Sequence, residues 1–318
     1  MTRVGINGFG RIGRLVFRHF MDADGDLEVV AVNDVADPAN LAYLLRRDSV
    51  HRDPDGDVEA GDGTLRWGDR EVRFLSERDP ASLPWDELDV ELVVESSGLF
   101  TKREDAAKHL DAGADRVLIS APGKGVDLTV CMGVNEEKYD PAEHEIVSNA
   151  SCTTNCLAPV AKVLDEEFGI ETGFLTTVHA YTSSQGIVDQ PSSKWRRGRA
   201  AAVSIVPTTT GAAVATTEVL PRLEGKLDGM AMRVPVPNGS VIDLVVHTEH
   251  PVTVETVNDA FRRAAASEEM EGILGVSDDE LVSADIIDSE YSAWVDAGST
   301  MVLCRNTLKV LAWYDNEW

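Results

Sequence analysis

The sequence predicts an α/β protein with two domains: a parallel-stranded domain at residues 1–150 and an α+β domain with a mostly antiparallel sheet at residues 151–318. In the first half, short apolar stretches typical of strands alternate with helical patterns, whereas the second half contains longer strand-like stretches. The length of 318 residues also suits two domains of ordinary size, each with its own core.

The first half begins with a strand pattern at Arg3 to Asn7, followed by a glycine-rich turn at Gly8 to Gly13. Apolar residues then recur every three or four positions, as in an amphipathic helix, at Ile12, Leu15, Val16 and Phe20. After a polar break at Asp22 to Asp26, a buried strand is predicted at Leu27 to Val32, ending at Asn33-Asp34. This order predicts a parallel βαβ unit.

Two later apolar strands end in small polar residues, at Glu95-Ser96-Ser97-Gly98 and at Ser120-Ala121-Pro122. A helical stretch is predicted between them, around Thr101 to Ala112. Small polar residues at successive strand ends are typical of a ligand crevice. In the second half, strands are predicted within Asp228 to His247 and Val295 to Trp313, and a helix at Thr253 to Ala266.

Composition excludes several classes of protein. The net charge is −26, from 29 Lys+Arg and 55 Asp+Glu, so neither nucleic acid nor an anionic membrane is expected as a partner. The sequence contains no run of about 18 apolar residues and opens without a leader-like segment, so we expect a cytoplasmic protein that does not span a membrane. The four cysteines lack zinc spacing and are too few for a disulfide scaffold, which predicts free thiols and no metal site.

The acidic excess has two interpretations, ordinary solubility and adaptation to high salt. Screening over about 3 Å at 1 M salt would remove the self-repulsion of such a surface. Under the second hypothesis, the free energy of unfolding rises with KCl concentration in a folding titration. Equal stability at low and molar KCl would exclude it.

Gly8, Gly10 and Gly13 form a G-x-G-x-x-G pattern between a predicted strand and a predicted helix, and Asp34 follows at the expected distance. The glycines allow a tight turn and close approach to a pyrophosphate, which the helix N-terminus faces, and the acid accepts a hydrogen bond from a ribose hydroxyl. Glycines also punctuate ordinary turns, but the combined context favours a Rossmann dinucleotide-binding domain. Because a carboxylate would repel a 2′-phosphate, NAD is preferred to NADP.

Cys152 lies in the segment Ser148 to Pro159 and at the predicted start of a helix. A helix N-terminus lowers the pKa of a thiol and can stabilise an oxyanion. Pro159 is expected to bend this helix or to delay its regular part. His179, at the end of a predicted strand, is a candidate base. The alternative is a buried structural cysteine and an ordinary histidine, and the residues alone do not decide; Cys156 is assigned to the structural class.

A basic cluster stands out in this acidic sequence, and consists of Lys194, Arg196, Arg197 and Arg199. It predicts either a phosphate site or a solvated or subunit-contact loop, with nucleic acid a weaker third interpretation. The segment Thr208 to Gly211 precedes another helix pattern, where it either binds an oxyanion or caps the helix.

Several long segments of the sequence, in the same order, closely resemble phosphorylating glyceraldehyde-3-phosphate dehydrogenases from Arg3 to Trp318. They are Val4 to Arg14, Ser148 to Pro159, His179 to Thr182, Thr210 to Ala213, Gly229 to Pro235 and Trp313 to Glu317. The resemblance implies that Cys152 attacks the aldehyde of glyceraldehyde 3-phosphate and that His179 raises its nucleophilicity. Hydride passes from the hemithioacetal to NAD, and inorganic phosphate cleaves the thioester to 1,3-bisphosphoglycerate, in glycolysis or gluconeogenesis.

The resemblance also implies the binding residues. Those for the substrate phosphate and the attacking phosphate are Ser151, Thr153, Thr182, Arg197, Thr210, Gly211 and Arg233. Those for the cofactor are Gly8, Gly10, Arg11, Ile12, Gly13, Asp34, Arg78, Ser120 and Asn316.

A homotetramer is implied as well, because residues 183–205 resemble the family's loop that lies near a neighbouring subunit's cofactor. Gln190 replaces a commoner apolar residue in that loop, which leaves NADP possible. The family continues past the position of Trp318 with a helix that this sequence does not contain, so the sequence is either a fragment or a form without that helix. We expect the 318-residue form to be less stable than an extended one by several kcal/mol, on the order given by buried apolar area.

Two alternatives remain at this stage. The first is a relative that acts on another phosphorylated aldehyde such as erythrose 4-phosphate, or that works with NADP in the biosynthetic direction. The second is a non-catalytic dinucleotide-binding protein, which the joint presence of Cys152, His179, Thr182 and Arg233 opposes.

Overall fold

The computed structural model describes residues 1–22, 25–54 and 56–318. The chain folds into two compact units, of which the first comprises residues 1–130 and 138–150 together with Glu317. The second comprises residues 131–137 and 151–316 together with Trp318. Part of the predicted polar break at Asp22 to Asp26 lies outside the described residues.

The first unit contains nine strands and four helices within the part of the chain that is described. In chain order these are β1 (Thr2–Asn7), α1 (Arg11–Asp22), β2 (Leu27–Asn33), α2 (Pro38–Arg46), β3 (Val58–Ala60), β4 (Thr64–Trp67), β5 (Arg70–Leu75), β6 (Leu92–Glu95), α3 (Arg103–Ala106), α4 (Lys108–Asp111), β7 (Arg116–Ile119), β8 (Leu128–Thr129) and β9 (Ile146–Ser148).

All nine strands belong to one sheet, in the order β3-β4-β5-β2-β1-β6-β7-β9-β8. The strands from β5 to β8 in this order pair in parallel, and β3 and β4 add an antiparallel edge. The parallel arrangement brings the carboxyl ends of β2, β1, β6 and β7 to one edge. The α/β class and the parallel first sheet predicted from the sequence are confirmed.

The core of this unit forms because apolar side chains of the strands and of α1 meet. Phe9, Phe17 and Trp67 are buried and stack edge to face, with ring centroids 5.3 and 5.8 Å apart along the series. The predicted helix at Thr101 to Ala112 is instead two short helices, α3 and α4, because the helix is interrupted at Ala107.

The second unit has a seven-stranded mixed sheet in the order β11-β12-β10-β13-β16-β15-β14. Its elements are α5 (Cys152–Phe168), β10 (Ile170–Ala180), β11 (Val206–Thr209), α6 (Ala212–Val219), β12 (Leu227–Val234), β13 (Ser240–Thr248), α7 (Val254–Ala265), β14 (Leu274–Ser277), β15 (Ala293–Leu303) and β16 (Thr307–Tyr314). Four of the six strand pairs are antiparallel, so the mostly antiparallel sheet predicted for this half is confirmed.

Alternation along the strands builds one buried face under α5. Ile242, Leu244 and Val246 of β13 are buried, and every second residue of β16 is buried in the same way. The helix α5 packs on β13, β15 and β16 and is regular from Cys152, with Pro159 inside it. The expected delay of the regular part is therefore wrong, because proline removes a single backbone donor and tertiary packing holds the surrounding turns.

Among the described residues, no helix combines the length and the apolar character that crossing a bilayer requires.

Candidate active site

The turn after β1 accepts only glycine at two positions. Gly8 has φ +92°, and a Cβ added there would lie 2.4 Å from the Ser97 Cα atom. A Cβ on Gly13 would lie 2.0 Å from the carbonyl oxygen of Gly8. At Gly10 an added Cβ meets no atom within 4 Å, so the space beside this residue is open to a ligand. The turn thus fits the pyrophosphate cradle that the sequence predicts.

Asp34 follows β2 and lies directly beside this turn. Its Oδ2 accepts a hydrogen bond from the backbone N–H of Phe9 at 2.7 Å, and its Oδ1 accepts one from the N–H of Ala36 at 2.9 Å. At the end of β7, the Ser120 N–H donates to the Glu95 carbonyl oxygen at 3.0 Å. Arg78 is exposed and follows Glu77, whose N–H donates to Asn33 Oδ1 at 2.8 Å.

The side chain of Arg11 is engaged by two carboxylates. Its guanidinium donates to Asp48 at 3.0 and 3.1 Å and to Glu317 Oε2 at 2.6 Å. Burial opposes ionisation of both Arg11 and Asp48, but their pairing outweighs it and lowers the pKa of Asp48 to about 2. For a pyrophosphate, Arg11 and the half-buried Ile12 therefore offer the backbone N–H groups of the first turn of α1.

The glycine geometry yields a matched pair of variants. We expect Gly8→Ala to lower the free energy of unfolding by about 2 kcal/mol or more, because the backbone of Ser97 blocks the added methyl group and φ is positive. Gly10→Ala is expected to leave stability within about 0.5 kcal/mol and to weaken NAD binding, because the methyl group enters the open space. Urea denaturation and NAD titration check both results, and equal stability of the two variants would contradict this account.

Cys152 is the first residue of α5 and is half-buried. Ser151 caps this helix, since its Oγ accepts a hydrogen bond from the Thr154 N–H at 3.1 Å. The cap fixes the first turn, so the sulfur lies among the N–H groups of the helix N-terminus. Cys156, one turn later, is fully buried with Sγ 3.7 Å from the Ala312 carbonyl oxygen.

His179 of β10 is brought to the thiol, with 3.4 Å between Cys152 Sγ and His179 Nε2. On the other side of the ring, Nδ1 lies 2.7 Å from the Ala180 carbonyl oxygen and 2.8 Å from Arg233 Nη1. A hydrogen on Nδ1 would donate to Ala180 and leave the Nε2 lone pair facing the thiol, whereas a hydrogen on Nε2 would leave Nδ1 to accept from Arg233. Only the first tautomer can remove a proton from Cys152.

Burial and charge determine the protonation of this pair. Burial raises the pKa of the Cys152 thiol, although the Thr153 hydroxyl, the Arg233 charge and the backbone N–H groups of Thr153 and Cys152 act in the opposite direction. The lowered thiol pKa predicted from the helix N-terminus is therefore wrong, because burial outweighs the N–H groups of the first turn. Burial, together with the charges of Arg233 and Arg197, lowers the pKa of His179 to about 4, so its imidazole is neutral at pH 7.

The guanidinium groups of Arg197 and Arg233 supply positive charge beside the pair. Arg233 lies opposite His179 in the parallel pairing of β10 and β12, and burial lowers its pKa. Its Nε is a buried donor without a partner among the described residues. Arg197 Nε donates to Thr208 Oγ1 at 2.9 Å, which ties the basic cluster to β11. These groups could hold an anionic substrate close to the thiol.

The remaining predicted residues of this unit are distributed as follows. The Thr210 Oγ1 accepts a hydrogen bond from the Ala212 N–H at 3.1 Å. This hydroxyl therefore helps to cap the N-terminus of α6, where Gly211 is the N-cap residue. Thr182 Oγ1 lies 2.8 Å from Ser184 Oγ. Asn316 is buried, and its Oδ1 accepts from Ser240 Oγ at 2.6 Å.

Tyr314 is a site residue for which the sequence alone predicted no role. Its hydroxyl bonds to Thr153 Oγ1 and Thr177 Oγ1, both at 2.9 Å, and its ring meets the His179 ring edge to face at 5.9 Å between centroids. Burial raises the pKa of Tyr314 above its usual value. Its place within the segment Trp313 to Glu317 was the available signal.

Comparisons with known proteins match both predicted domains. Residues 2–103 match the model described as the NAD binding domain of glyceraldehyde 3-phosphate dehydrogenase, and residues 151–316 match that described as its C-terminal domain. The chain is 58% identical over 316 residues to "Glyceraldehyde-3-phosphate dehydrogenase" from Geobacillus stearothermophilus, covering 99% of this chain and 94% of the relative. Proteins of the same name from Streptomyces coelicolor and Haloarcula vallismortis are 54% and 55% identical, covering 99% and 100% of this chain and 94% of each relative.

The sequence identity exceeds 50% over nearly the whole chain, and both domains match their family models. Such similarity shows membership of the family and not only a shared fold. The chain belongs to the glyceraldehyde 3-phosphate dehydrogenase family.

Proposed function

We propose that this chain is an NAD-dependent glyceraldehyde-3-phosphate dehydrogenase of glycolysis, which oxidises and phosphorylates D-glyceraldehyde 3-phosphate to 1,3-bisphosphoglycerate. The observation that carries the proposal is the 3.4 Å approach of Cys152 Sγ and His179 Nε2 at the N-terminus of α5. A nucleophilic sulfur with a neutral imidazole beside it is the arrangement that covalent catalysis on an aldehyde requires.

In the proposed reaction, His179 Nε2 removes the thiol proton and the Cys152 sulfur forms a bond to the aldehyde carbon. The backbone N–H groups at the start of α5 stabilise the oxyanion of the resulting hemithioacetal. The hydride on this carbon would leave to bound NAD, which supplies the acceptor. Cys152 then carries a thioester, and an oxygen of inorganic phosphate attacks its carbonyl carbon. The C–S bond breaks, and the imidazolium of His179 returns the proton to the sulfur, which restores the thiol.

The phosphate groups are proposed to bind beside the thiol. The unpartnered Nε of Arg233 and the guanidinium of Arg197 support this role, because a phosphate accepts several charge-assisted hydrogen bonds. When a phosphate neutralises the charges of Arg197 and Arg233, these charges oppose protonation of His179 less, so the imidazolium forms more readily. Hydroxyl and backbone donors are proposed to complete the two phosphate sites. They are those of Ser151, Thr153, Thr182, Thr210 and Gly211.

The proposed cofactor residues lie in the first unit, apart from Asn316, which is proposed to bind the nicotinamide amide. Gly8, Gly10 and Gly13 admit the pyrophosphate, and Asp34 accepts from the adenosine ribose. Arg78 and Ser120 are proposed to contact the rest of the cofactor. Because Asp34 would repel a 2′-phosphate, the chain is expected to use NAD in preference to NADP.

The decisive measurement is the reduction of NAD and of NADP by glyceraldehyde 3-phosphate, with and without inorganic phosphate. We expect rapid, phosphate-dependent reduction of NAD. Faster turnover of erythrose 4-phosphate, or a preference for NADP, would instead identify a relative that acts on another phosphorylated aldehyde or works with NADP. NAD binding without reduction of cofactor by either aldehyde would identify a non-catalytic dinucleotide-binding protein.

A homotetramer in the cytoplasm is the remaining part of the proposal. The segment of residues 183–205 exposes large apolar side chains, which a subunit interface would bury: Ile187, Val188, Trp195, Val203 and Ile205 are each more than 60% exposed. Sedimentation velocity tests this proposal, and a monomer at micromolar concentration would contradict it.

A further inference from the structure

A buried carboxylate at the end of β6 takes no part in the proposed chemistry. Glu95 is 1% exposed, and four donors converge on its two oxygens. Oε2 accepts from Asn7 Nδ2 at 2.5 Å and lies 3.0 Å from His109 Nε2. Oε1 accepts from the Ser97 N–H at 2.8 Å and from the Ser97 hydroxyl. Donors alone face the group, as suits a carboxylate, which only accepts hydrogen bonds.

The contacts of His109 define its hydrogen position. Its Nδ1 accepts a hydrogen bond from the indole N–H of Trp85 at 3.0 Å, so Nδ1 carries no hydrogen. The hydrogen of the neutral ring is then on Nε2, which donates to Glu95. The side chains of His109 and Glu95 are both fully buried, and no Lys or Arg contacts this carboxylate among the described residues.

The network continues from Glu95 across the sheet. Asn7 Oδ1 accepts from Asn33 Nδ2 at 2.7 Å, and Asn33 exchanges hydrogen bonds with the backbone of Glu77 at 2.8 and 2.9 Å. It therefore joins the ends of β1, β2 and β6, three neighbouring parallel strands, to the segment after β5.

The position of this network along the chain is informative. Asn7 directly precedes Gly8, Asn33 precedes Asp34, and Glu77 precedes Arg78. Each of these three following residues belongs to the proposed cofactor site. After Glu95, Ser96 Oγ donates to the Gly8 carbonyl oxygen at 2.7 Å, and the Ser97 backbone blocks any side chain at position 8.

Burying a carboxylate without a cation costs free energy, and apolar packing would hold a core more cheaply. Apolar side chains, however, would not specify the relative positions of three strand ends and the segment after β5, whereas short directional hydrogen bonds do. We infer that Glu95, held by His109, is a positioning residue that aligns Gly8, Asp34 and Arg78 for NAD. The inference rests on the proposed NAD site, and Glu95 itself need not touch the cofactor.

The test is the binding of NAD alone, measured by isothermal titration calorimetry, to the parent and to Glu95→Gln. Glutamine presents one acceptor oxygen, so at least one donor group is left facing an amide NH₂. We expect the Kd for NAD to rise about tenfold, on the scale of one orphaned buried donor. At saturating NAD, kcat should stay within about threefold, and alkylation of Cys152 by iodoacetamide without NAD should be unchanged, on the premise that alignment rather than chemistry is lost.

Asp127→Asn is the matched control in the same unit. Asp127 also accepts two backbone hydrogen bonds, from Glu145 and Ile146, and one from Arg103 Nε at 2.7 Å, but it contacts no proposed cofactor residue. Its Kd for NAD should stay within about twofold of the parent value. An equal loss of affinity in Asp127→Asn and Glu95→Gln would show general loosening of the unit and overturn the inference.

His109→Gln provides the second variant, which remains informative if Glu95→Gln does not fold. His109 contacts no proposed cofactor residue directly and meets the network only at Glu95 and Asn7, so a rise in the Kd for NAD with unchanged alkylation of Cys152 supports positioning. An unchanged Kd in either folded variant overturns the inference. Failure of the parent protein itself to bind NAD would instead refute the proposed function.

Discussion

Replacing Cys152 with serine is expected to reduce kcat for phosphate-dependent NAD reduction on the order of 10⁴-fold or more. A hydroxyl is much less acidic than a thiol, and His179, whose pKa is lowered to about 4 by burial and by Arg233, is too weak a base to ionise it. The measurement is initial rate under saturating substrates. A serine variant that turns over like the parent would refute the covalent mechanism.

The other cysteines provide the controls for this experiment. Cys304 is exposed, so Cys304→Ser should retain parental activity. Cys156 is fully buried, and burial raises the pKa of its thiol well above the usual value, so iodoacetamide should modify Cys152 far faster than Cys156 near neutral pH. Mass spectrometry of partly alkylated protein identifies the modified residue, and earlier labelling of Cys156 would contradict the site.

Replacing His179 with asparagine is expected to lower kcat by about 10² to 10⁴-fold, the usual contribution of a general base. In the variant, the Cys152 thiol has no imidazole Nε2 atom 3.4 Å from its sulfur to accept the proton. Because burial raises the pKa of this thiol, Cys152 stays mostly protonated at pH 7. Rates of the parent and the variant at increasing pH provide the check. Because hydroxide replaces the missing base, the difference should narrow toward high pH; a constant ratio would indicate a role in substrate orientation alone.

The same variant tests the buried environment of His179 without any substrate. The folded-state pKa of about 4 lies below the ordinary 6.5, so the unfolded chain binds the proton first as pH falls. The parent should therefore lose up to about 3 kcal/mol of stability between pH 6.5 and 4 that His179→Asn does not lose. Urea denaturation of both proteins across this range gives the difference, and parallel pH profiles would contradict the assignment.

Local features of the sequence predicted the elements that local physics controls. The glycine pattern and Asp34 indicated a dinucleotide turn, because the spacing of a βαβ unit determines where such residues fall. The start of α5 near Cys152 was predicted from the apolar repeat that follows it, and the structure adds the Ser151 cap, which acts within one turn. Resemblance to a family extended these predictions to the substrate and the cofactor.

The tertiary structure decided what lies opposite each of these residues. Cys152 and His179 are 27 positions apart and left two interpretations open; the packing of α5 on the sheet with β10 brings them to 3.4 Å. The pairing of β10 with β12 places Arg233 beside His179. Burial lowers the pKa of His179 most, and the charge of Arg233 lowers it further. The lowered pKa expected for the thiol was wrong because a helix end is a local feature, whereas burial depends on the whole surrounding fold.

Glu95 shows the same division most clearly. Its sequence context indicated a polar strand end, but its partners Asn7 and His109 come from distant segments that meet only through the order of the parallel strands. Sequence by itself determined the fold class, the glycine turn and the position of the thiol at a helix start, because these depend on residues a few positions apart. The protonation of the thiol pair and the alignment of the strand ends depend on contacts across the sheets, so only the tertiary structure decided them.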